Sequence, residues 1–290
     1  MDLELLKRFY IVAQEGTLAK ASEHIHVVPS PLTKSISDFE YQMKTQLFDR
    51  LPKGMKLTPQ GERLFAFASQ FLSQAESFER VFNEKEDEIE GEIRILTTPY
   101  VGTHWLIPHM KEFLKKHPKV TLQILLNNEE IRYLGGADIG ICPFISQQEN
   151  LTQELLFPLS IYLFASPEYI KNMGIPQKPD DLDHHRLIVY RENYYAPYGN
   201  WILNIGRGAG IPPRKSYIQV DTLAGMVQSA LHGMWIIEAP DFSSILNSGL
   251  VQIMPDVIGP QMPYYFTFPE NRKKSKKITQ LLTYLATKGK

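Results

Sequence analysis

Near the start of the chain, apolar residues return every three or four positions. Leu3, Leu6, Phe9 and Ala13 share one helical face, with Lys7, Arg8 and Gln14 between them, so the period predicts a helix. Gly16 breaks it, and Thr17 is placed to cap a second short helix over residues 18–25, with Leu18, Ala21 and Ile25 on one side. A tight connection leads to a third helix opening at Pro29, Ser30 and Pro31, residues tolerated in a first turn. Its apolar face is Leu32, Ile36, Phe39 and Met43. A packing helix followed by two helices across a brief turn is a helix-turn-helix pattern. Residues 47–50 and 55–57 then read as two short strands around Leu51-Pro52-Lys53-Gly54, a β-wing.

Thr58-Pro59 starts a long helix: a capping hydroxyl, then proline at the first helical position. Leu64, Phe67, Phe71, Ala75, Phe78 and Phe82 form a stripe along it, and the pattern runs to about residue 88, ending in an acidic stretch. So extended a stripe is expected to pair with a second copy. Packing against the chain's own domains is the alternative. After Gly91 the period changes to strand–helix alternation: strands near 91–99, 120–126, 137–144, 159–165, 187–190, 234–238 and 264–268, with helices near 105–118, 222–231 and 275–287. That alternation implies an α/β domain with a parallel sheet covered by helices.

Charge adds little. The whole chain carries a net charge of −1. Residues 1–58 hold eight Lys or Arg against seven Asp or Glu, so nucleic-acid binding must rest on local placement. Cys142 is the single cysteine, which excludes an internal disulfide or a cysteine-rich zinc site; a small buried residue is expected there. The N-terminus has no signal-peptide pattern and no stretch suits a bilayer, so a cytoplasmic protein without membrane contact is expected.

In order and spacing, these residues resemble the LysR-type transcriptional regulators. Leu6, Phe9, Val12, Ala13, Gly16, Thr17, Leu18, Ala21 and Ser22 follow the opening of that family's signature. Val27 to Thr33, Ile36 and Phe39-Glu40 follow its turn and recognition helix, and residues 47–50 and 57–61 its close. The likeness continues through Ala165-Ser166-Pro167-Glu168-Tyr169, Gly174-Ile175-Pro176, Asp181-Leu182 with His184 or His185, Val220-Asp221-Thr222, Gly233 and Gly249-Leu250-Val251. Two departures stand out. Val28-Pro29-Ser30 occupies the place of the family's Ser-Gln-Pro, and the segment 127–136 before Gly135-Gly136-Ala137-Asp138 is short enough to replace a wall-forming helix by a turn.

The resemblance implies a winged helix-turn-helix (1–58), a linker helix for dimerisation (59–90) and a two-lobed effector domain like the periplasmic binding proteins (91–290). Lobe I would take about 91–158 and 266–290, and lobe II about 159–265. It implies double-stranded DNA and a small-molecule effector of unknown identity as partners, a homo-oligomer paired through the linker helix and usually tetrameric, no other cofactor and no enzymatic activity.

On the DNA-facing side of the third helix, opposite its apolar residues, lie Ser30, Pro31, Thr33, Lys34 and Ser37. Arg50, Lys53 and Lys56 sit on the wing, as backbone contacts or as merely solvated charges. In α/β sheets, ligands sit beyond strand C-termini and at helix N-termini. Thr97, Thr98, Tyr100, Asn127, Asn128, Asp221 and Thr222 fall at such places and are the expected effector contacts; by resemblance, the hydroxyls and N–H groups of Thr97, Thr98 and Tyr100 suit an anionic effector. Helix capping is the plainer role for Thr97, Thr98 and Asp221. Adjacent His184 and His185 point apart and read as a surface turn rather than a metal pair. Gly206 to Gly210 reads as a loop. The basic run 272–277 could contact DNA or be solvated loop charge.

Overall fold

The computed structural model describes residues 2–51, 54–82, 89–128, 130–191, 198–208 and 210–289, with side chains for all of these except 70, 73, 76, 77 and 79–82. The chain divides into two compact units, Met1–Glu84 and Lys85–Lys290.

The first unit contains α1 (Leu3–Glu15), α2 (Leu18–His24), α3 (Pro29–Met43), a hairpin of β1 (Phe48–Leu51) and β2 (Gly54–Leu57), and α4 (Pro59–Phe82). Asp2 caps α1 by accepting the Glu4 N–H at 2.8 Å, and Gly16 ends it with a left-handed φ of 67°. Thr17 caps α2. The core is Leu6, Phe9, Val12, Ala21, Leu32, Ile36, Phe39, Leu47, Phe48 and Ala68, with Phe9 against Phe39 and Phe48 at ring distances of 6.0 and 5.2 Å. Met43, placed on that apolar face by its spacing, is 39% exposed at the last position of α3, where a left-handed Lys44 ends the helix. The Glu40 carboxylate accepts the N–H groups of Leu47 and Phe48 at 2.8 and 3.0 Å, fastening the hairpin to α3.

Thr58 does what its position suggests. Its hydroxyl donates to the Gln46 carbonyl at 2.8 Å and accepts the Gly61 N–H at 3.0 Å. Gly61 passes so close to the hairpin that a Cβ there would lie 2.1 Å from the Leu47 carbonyl oxygen. α4 packs on α1 through the stacked rings of Tyr10 and Phe65 at 5.0 Å. Further along, Phe67, Phe71 and Phe78 stay 48%, 40% and 62% exposed.

The second unit carries one nine-stranded sheet. Its strands are β3 (Gly91–Thr97), β4 (Val120–Leu126), β5 (Ile139–Cys142), β6 (Leu151–Ala165), β7 (Leu187–Tyr190), β8 (Ile218–Val220), β9 (Ile236–Pro240), β10 (Val251–Ile253) and β11 (Gln261–Pro269). The order is β4-β3-β5-β11-β6-β9-β7-β8, with β10 on β6. β3 lies parallel to β4 and β5, and β7 parallel to β8 and β9. Between these two parallel blocks run β6 and β11, antiparallel to each other and to their outer neighbours. The sheet is therefore mixed rather than purely parallel, with β6 and β11 joining its two parallel blocks.

The helices are α5 (Pro99–Val101), α6 (Ile107–Lys116), α7 (Pro167–Met173), α8 (Leu223–Leu231), α9 (Ser243–Leu246) and α10 (Lys276–Ala286). A wide π turn over Gly102–Leu106 joins α5 to α6. It lies directly before Pro108, which has no N–H to return to the carbonyl four residues back. The described residues of the shortened segment 127–136 form no helix; Ile131 and Leu134, with the following Ala137, bury themselves with Cys142 and Ile145 instead.

In the basic run near the C-terminus Lys273, Lys274 and Lys276 are exposed, as expected, and the other two basic residues correct the expectation. Arg272 and Lys277 are buried, not solvated. The Arg272 guanidinium pairs with Asp138, which also accepts the Arg94 N–H at 2.8 Å, and Lys277 donates to the Glu92 carbonyl at 2.9 Å. Their partners lie more than 130 positions away in the chain, so only folding shows the roles. Among the described residues no helix is long and apolar enough to cross a membrane.

Gly61→Ala is expected to destabilise the first unit by about 1–3 kcal/mol, because the new methyl meets a backbone carbonyl that cannot turn away. Urea unfolding followed by circular dichroism checks this; an unchanged midpoint would refute the close approach.

Candidate functional site

Each unit presents one candidate site. On the first unit, the start of α3 stands clear: Val28, Pro29, Ser30, Pro31, Lys34 and Ser37 are exposed, and Thr33 is half-buried. The Thr33 hydroxyl donates to the Pro29 carbonyl at 2.9 Å, so in this state it caps its own helix backbone. Arg8 donates to Ser35 at 2.7 Å, and Ser35 to the Pro31 carbonyl at 2.9 Å, bracing the first turn from α1. Pro29 and Pro31 have no N–H, so of the four backbone donors a helix start leaves outside its ladder, only those of Val28 and Ser30 exist in α3. Anion capture by the bare helix end is correspondingly weakened, and Lys34 becomes the main cationic contact on this face. Arg50 donates to Ser37 at 2.9 Å, tying the hairpin to the exposed face of α3. Lys56 is exposed on β2, and Lys53 lies outside the described residues.

In the second unit, a cavity of ≈ 240 Å³ lies where the parallel blocks meet the β6–β11 pair. Its floor is Leu159 and Ile161 from β6 and Met262 and Tyr264 from β11. The turn after β3 supplies Thr98, Tyr100 and His104; the start of α8 supplies Thr222, Leu223 and Ala224; and β9 supplies Glu238 and Ala239. Tyr190, Tyr198 and Phe242 close it.

Of the residues the sequence pointed to, Thr98, Tyr100, Asn128 and Thr222 line this cavity. Thr97, Asn127 and Asp221 are not on its wall. Thr97 is fully buried and donates to the Ile141 carbonyl at 2.7 Å, because side chains alternate along a strand and its neighbour Thr98 takes the open side. Asn127 borders a separate depression with Glu130 and Tyr133. Asp221 is exposed, and Thr222 is the true cap of α8, accepting the Gly225 N–H at 3.1 Å.

The hydroxyl groups are mostly engaged with each other. Thr98 meets Tyr264 at 3.2 Å, and Tyr100 meets Ser244 at 3.1 Å. Burial holds the Tyr100 hydroxyl above its usual range, partly offset by that bond, so it stays protonated. Its ring stacks on His104 at 4.1 Å.

Glu238 is the residue that sequence reasoning missed. Its carboxylate is 3% exposed, accepts the Ile202 N–H at 2.9 Å and also binds the Asn200 N–H. Asn200, at φ 59°, clasps Tyr190 in both directions, at 2.9 and 3.1 Å. Glu238 thus anchors the loop forming one cavity wall. Desolvation pushes its carboxyl up to about 7, against the pull of the N–H groups of Ile202, Asn200 and Trp201. The available signal was an acidic residue inside the otherwise apolar Ile236-Ile237-Glu238-Ala239-Pro240. Cys142 is buried, and desolvation pushes its thiol up to about 12, so it stays protonated and unreactive near neutral pH. His185 bonds the Tyr169 hydroxyl at 2.9 Å while His184 is exposed.

Comparison with known proteins defines the class. The family model described as "Bacterial regulatory helix-turn-helix protein, lysR family" matches residues 3–62, and "LysR substrate binding domain" matches 86–290. Among curated relatives, the uncharacterized HTH-type transcriptional regulator YhjC of Escherichia coli K12 is 25% identical over 98% of this chain and 96% of its own length. The transcriptional activator AmpR of Citrobacter koseri is 26% identical over 96% and 94%. Among solved structures, CbnR, a LysR family transcriptional regulator, aligns over the whole of both chains with a TM-score of 0.69 at 18% identity. The full-length CbnR complex with its target DNA aligns over 99% of both chains, with a TM-score of 0.65 and 18% identity. The chain belongs to the LysR family: it is a DNA-binding transcriptional regulator built from a helix-turn-helix unit and a LysR-type substrate-binding domain.

Glu238 generates a stability prediction. Its folded value lies above its ordinary 4.5, so the folded state binds the extra proton between the two values. Stability is then full below about pH 4.5 and falls as pH rises through 7. Relative to Glu238→Gln, the native chain should lose on the order of 3 kcal/mol between pH 4.5 and 8. Urea titrations at both pH values read the difference; identical pH slopes for the two proteins would refute it.

Proposed function

We propose that the exposed start of α3 reads an operator in the major groove, that the wing holds the backbone beside it, and that a small molecule in the cavity of the second unit sets the regulatory state. The reading is supported most by the clear first turn of α3, where Ser30, Pro31, Lys34 and Ser37 face solvent while Leu32, Ile36 and Phe39 are buried. Lys34, Arg50 and Lys56 serve phosphates. Ser30 and Thr33 reach base edges, with weak discrimination from single hydroxyls. Val28 and Pro31 offer apolar contact to thymine methyl groups.

Two-fold operators call for two such helices. The exposed rings of Phe67, Phe71 and Phe78 on α4 are the surface assigned to pairing with a second chain, and tetramers would arise from further contacts. The protein is assigned to the cytoplasm, where its DNA lies, and no catalytic role is assigned to it. Thr98, Tyr100, Asn128 and Thr222 are the effector contacts retained from the sequence.

Lys34→Ala is expected to weaken operator binding uniformly across sequences and to lower the salt slope by about 1. A gel-shift series against salt, using the DNA upstream of its own gene, measures both; unchanged affinity at fixed salt would overturn the assignment. Phe71→Glu with Phe78→Glu should shift sedimentation velocity toward a single chain at micromolar protein, and retention of the larger species would remove α4 as the pairing surface.

A further inference from the structure

The cavity has a wall composition that its place in the fold does not dictate. Five aromatic rings line it: Tyr100, Tyr190, Tyr198, Phe242 and Tyr264. No Lys or Arg is among the described lining residues, and the neighbouring stretches 129 and 192–197 carry none in the sequence. The one titratable base on the wall is His104, which is exposed and lies flat against Tyr100. Among the described lining residues the one carboxylate is Glu238, buried at the wall itself.

An anionic effector would leave water here for aromatic faces, whose quadrupoles are negative at the centre, and for a carboxylate. It would meet no fixed counter-charge. The start of α8 also faces the cavity and favours negative charge. Thr222 takes the Gly225 N–H, and the Leu223 and Ala224 N–H groups that remain there are neutral donors rather than a counter-charge. Inversely, an ammonium group gains from the ring faces and from a carboxylate in the same small space. Glu238 uses its oxygens on the N–H groups of Asn200, Trp201 and Ile202, and a carboxylate has about four lone-pair sites, so room for about one further donor remains.

We propose that the cavity takes a small amine cation with an aromatic or apolar body, with Glu238 as its counter-ion and the tyrosine faces as its cage. This rests on the reading of the cavity as the effector site. Glu238 also links ligand charge to shape, because the same carboxylate holds Asn200 and, through it, Tyr190. A cation drawn to Glu238 therefore acts directly on the loop that closes the wall.

Three probes of one skeleton separate the charge question: phenethylamine, 2-phenylethanol and phenylacetate, each at millimolar concentration against the full-length protein, read by thermal shift and calorimetry. Phenethylamine should raise the melting temperature most and phenylacetate least. Glu238→Gln should weaken phenethylamine about tenfold while leaving 2-phenylethanol little changed, as expected for loss of one desolvated ionic contact. Tyr100→Phe should keep phenethylamine binding, and Tyr100→Leu should lose several-fold, which covers the case of a poorly folding Glu238→Gln. Phenylacetate binding as well as phenethylamine or better, or no shift with any of the three, overturns the amine assignment. Ala224→Trp, which fills the cavity from the exposed start of α8, separates the two levels. If it abolishes binding of a preferred phenylacetate, only the charge assignment fails; if phenethylamine binding survives it, the cavity is not the effector site.

Discussion

Nine residue pairs join β11 to β6, from Gln261 opposite Ser160 to Pro269 opposite Leu151. That antiparallel ladder is the constraint from which the second unit hangs. Each parallel block attaches to one side of it, β5 to β11 and β9 to β6. Parallel strands need covering helices, and those helices start where the strands end. Because both blocks are hung on the same two strands, the ends of β3 and the start of α8 come to face each other across residues 159–161 and 262–264. The cavity is a consequence of where a parallel sheet stops and an antiparallel pair takes over.

Within that cavity, polar groups settle their hydrogen bonds mostly among themselves. Thr98 with Tyr264 and Tyr100 with Ser244 leave hydroxyl oxygens at the wall without leaving them unpartnered. A buried polar atom left alone costs more than its bond contributes, so a ligand that asks for few new hydrogen bonds disturbs this arrangement least. Glu238 is the exception, an ionisable group in an apolar strand, held by backbone N–H groups alone. Burial raises its carboxyl to about 7 against the pull of those N–H groups. The first unit is organised differently. There a small aromatic core, centred on Phe9, sets the height and angle of α3, and Glu40, Arg8 and Arg50 fasten the exposed turn to its surroundings.

Much of the first unit was legible from position alone. The three- and four-residue recurrence of Leu6, Phe9, Leu32, Ile36 and Phe39 marks one face per helix, and all five are buried. Thr17, Thr58 and Gly61 were visible as cap, cap and motif glycine. The reason for Gly61, a carbonyl passing 2.1 Å from where its Cβ would stand, was not visible, since that carbonyl belongs to the hairpin. In the second unit the strands were found, but β8 and β10 are only three residues each and carry no readable period. The start of β6 was missed because its first six residues are half-buried or exposed in runs, with no alternation of buried and exposed positions to read.

What the sequence by itself determined is local and periodic: which segments are helix or strand, which face of each is apolar, where caps sit, and which family's order of motifs the chain follows. These depend on neighbours within a few positions. Only the tertiary structure decided which side chains share a space. Thr98 lines the cavity and Thr97 does not, Arg272 is buried against Asp138, and Glu238 stands among tyrosines contributed by segments from 100 to 264. Such proximities are set by the mixed sheet and its register, and spacing along the chain has no access to them.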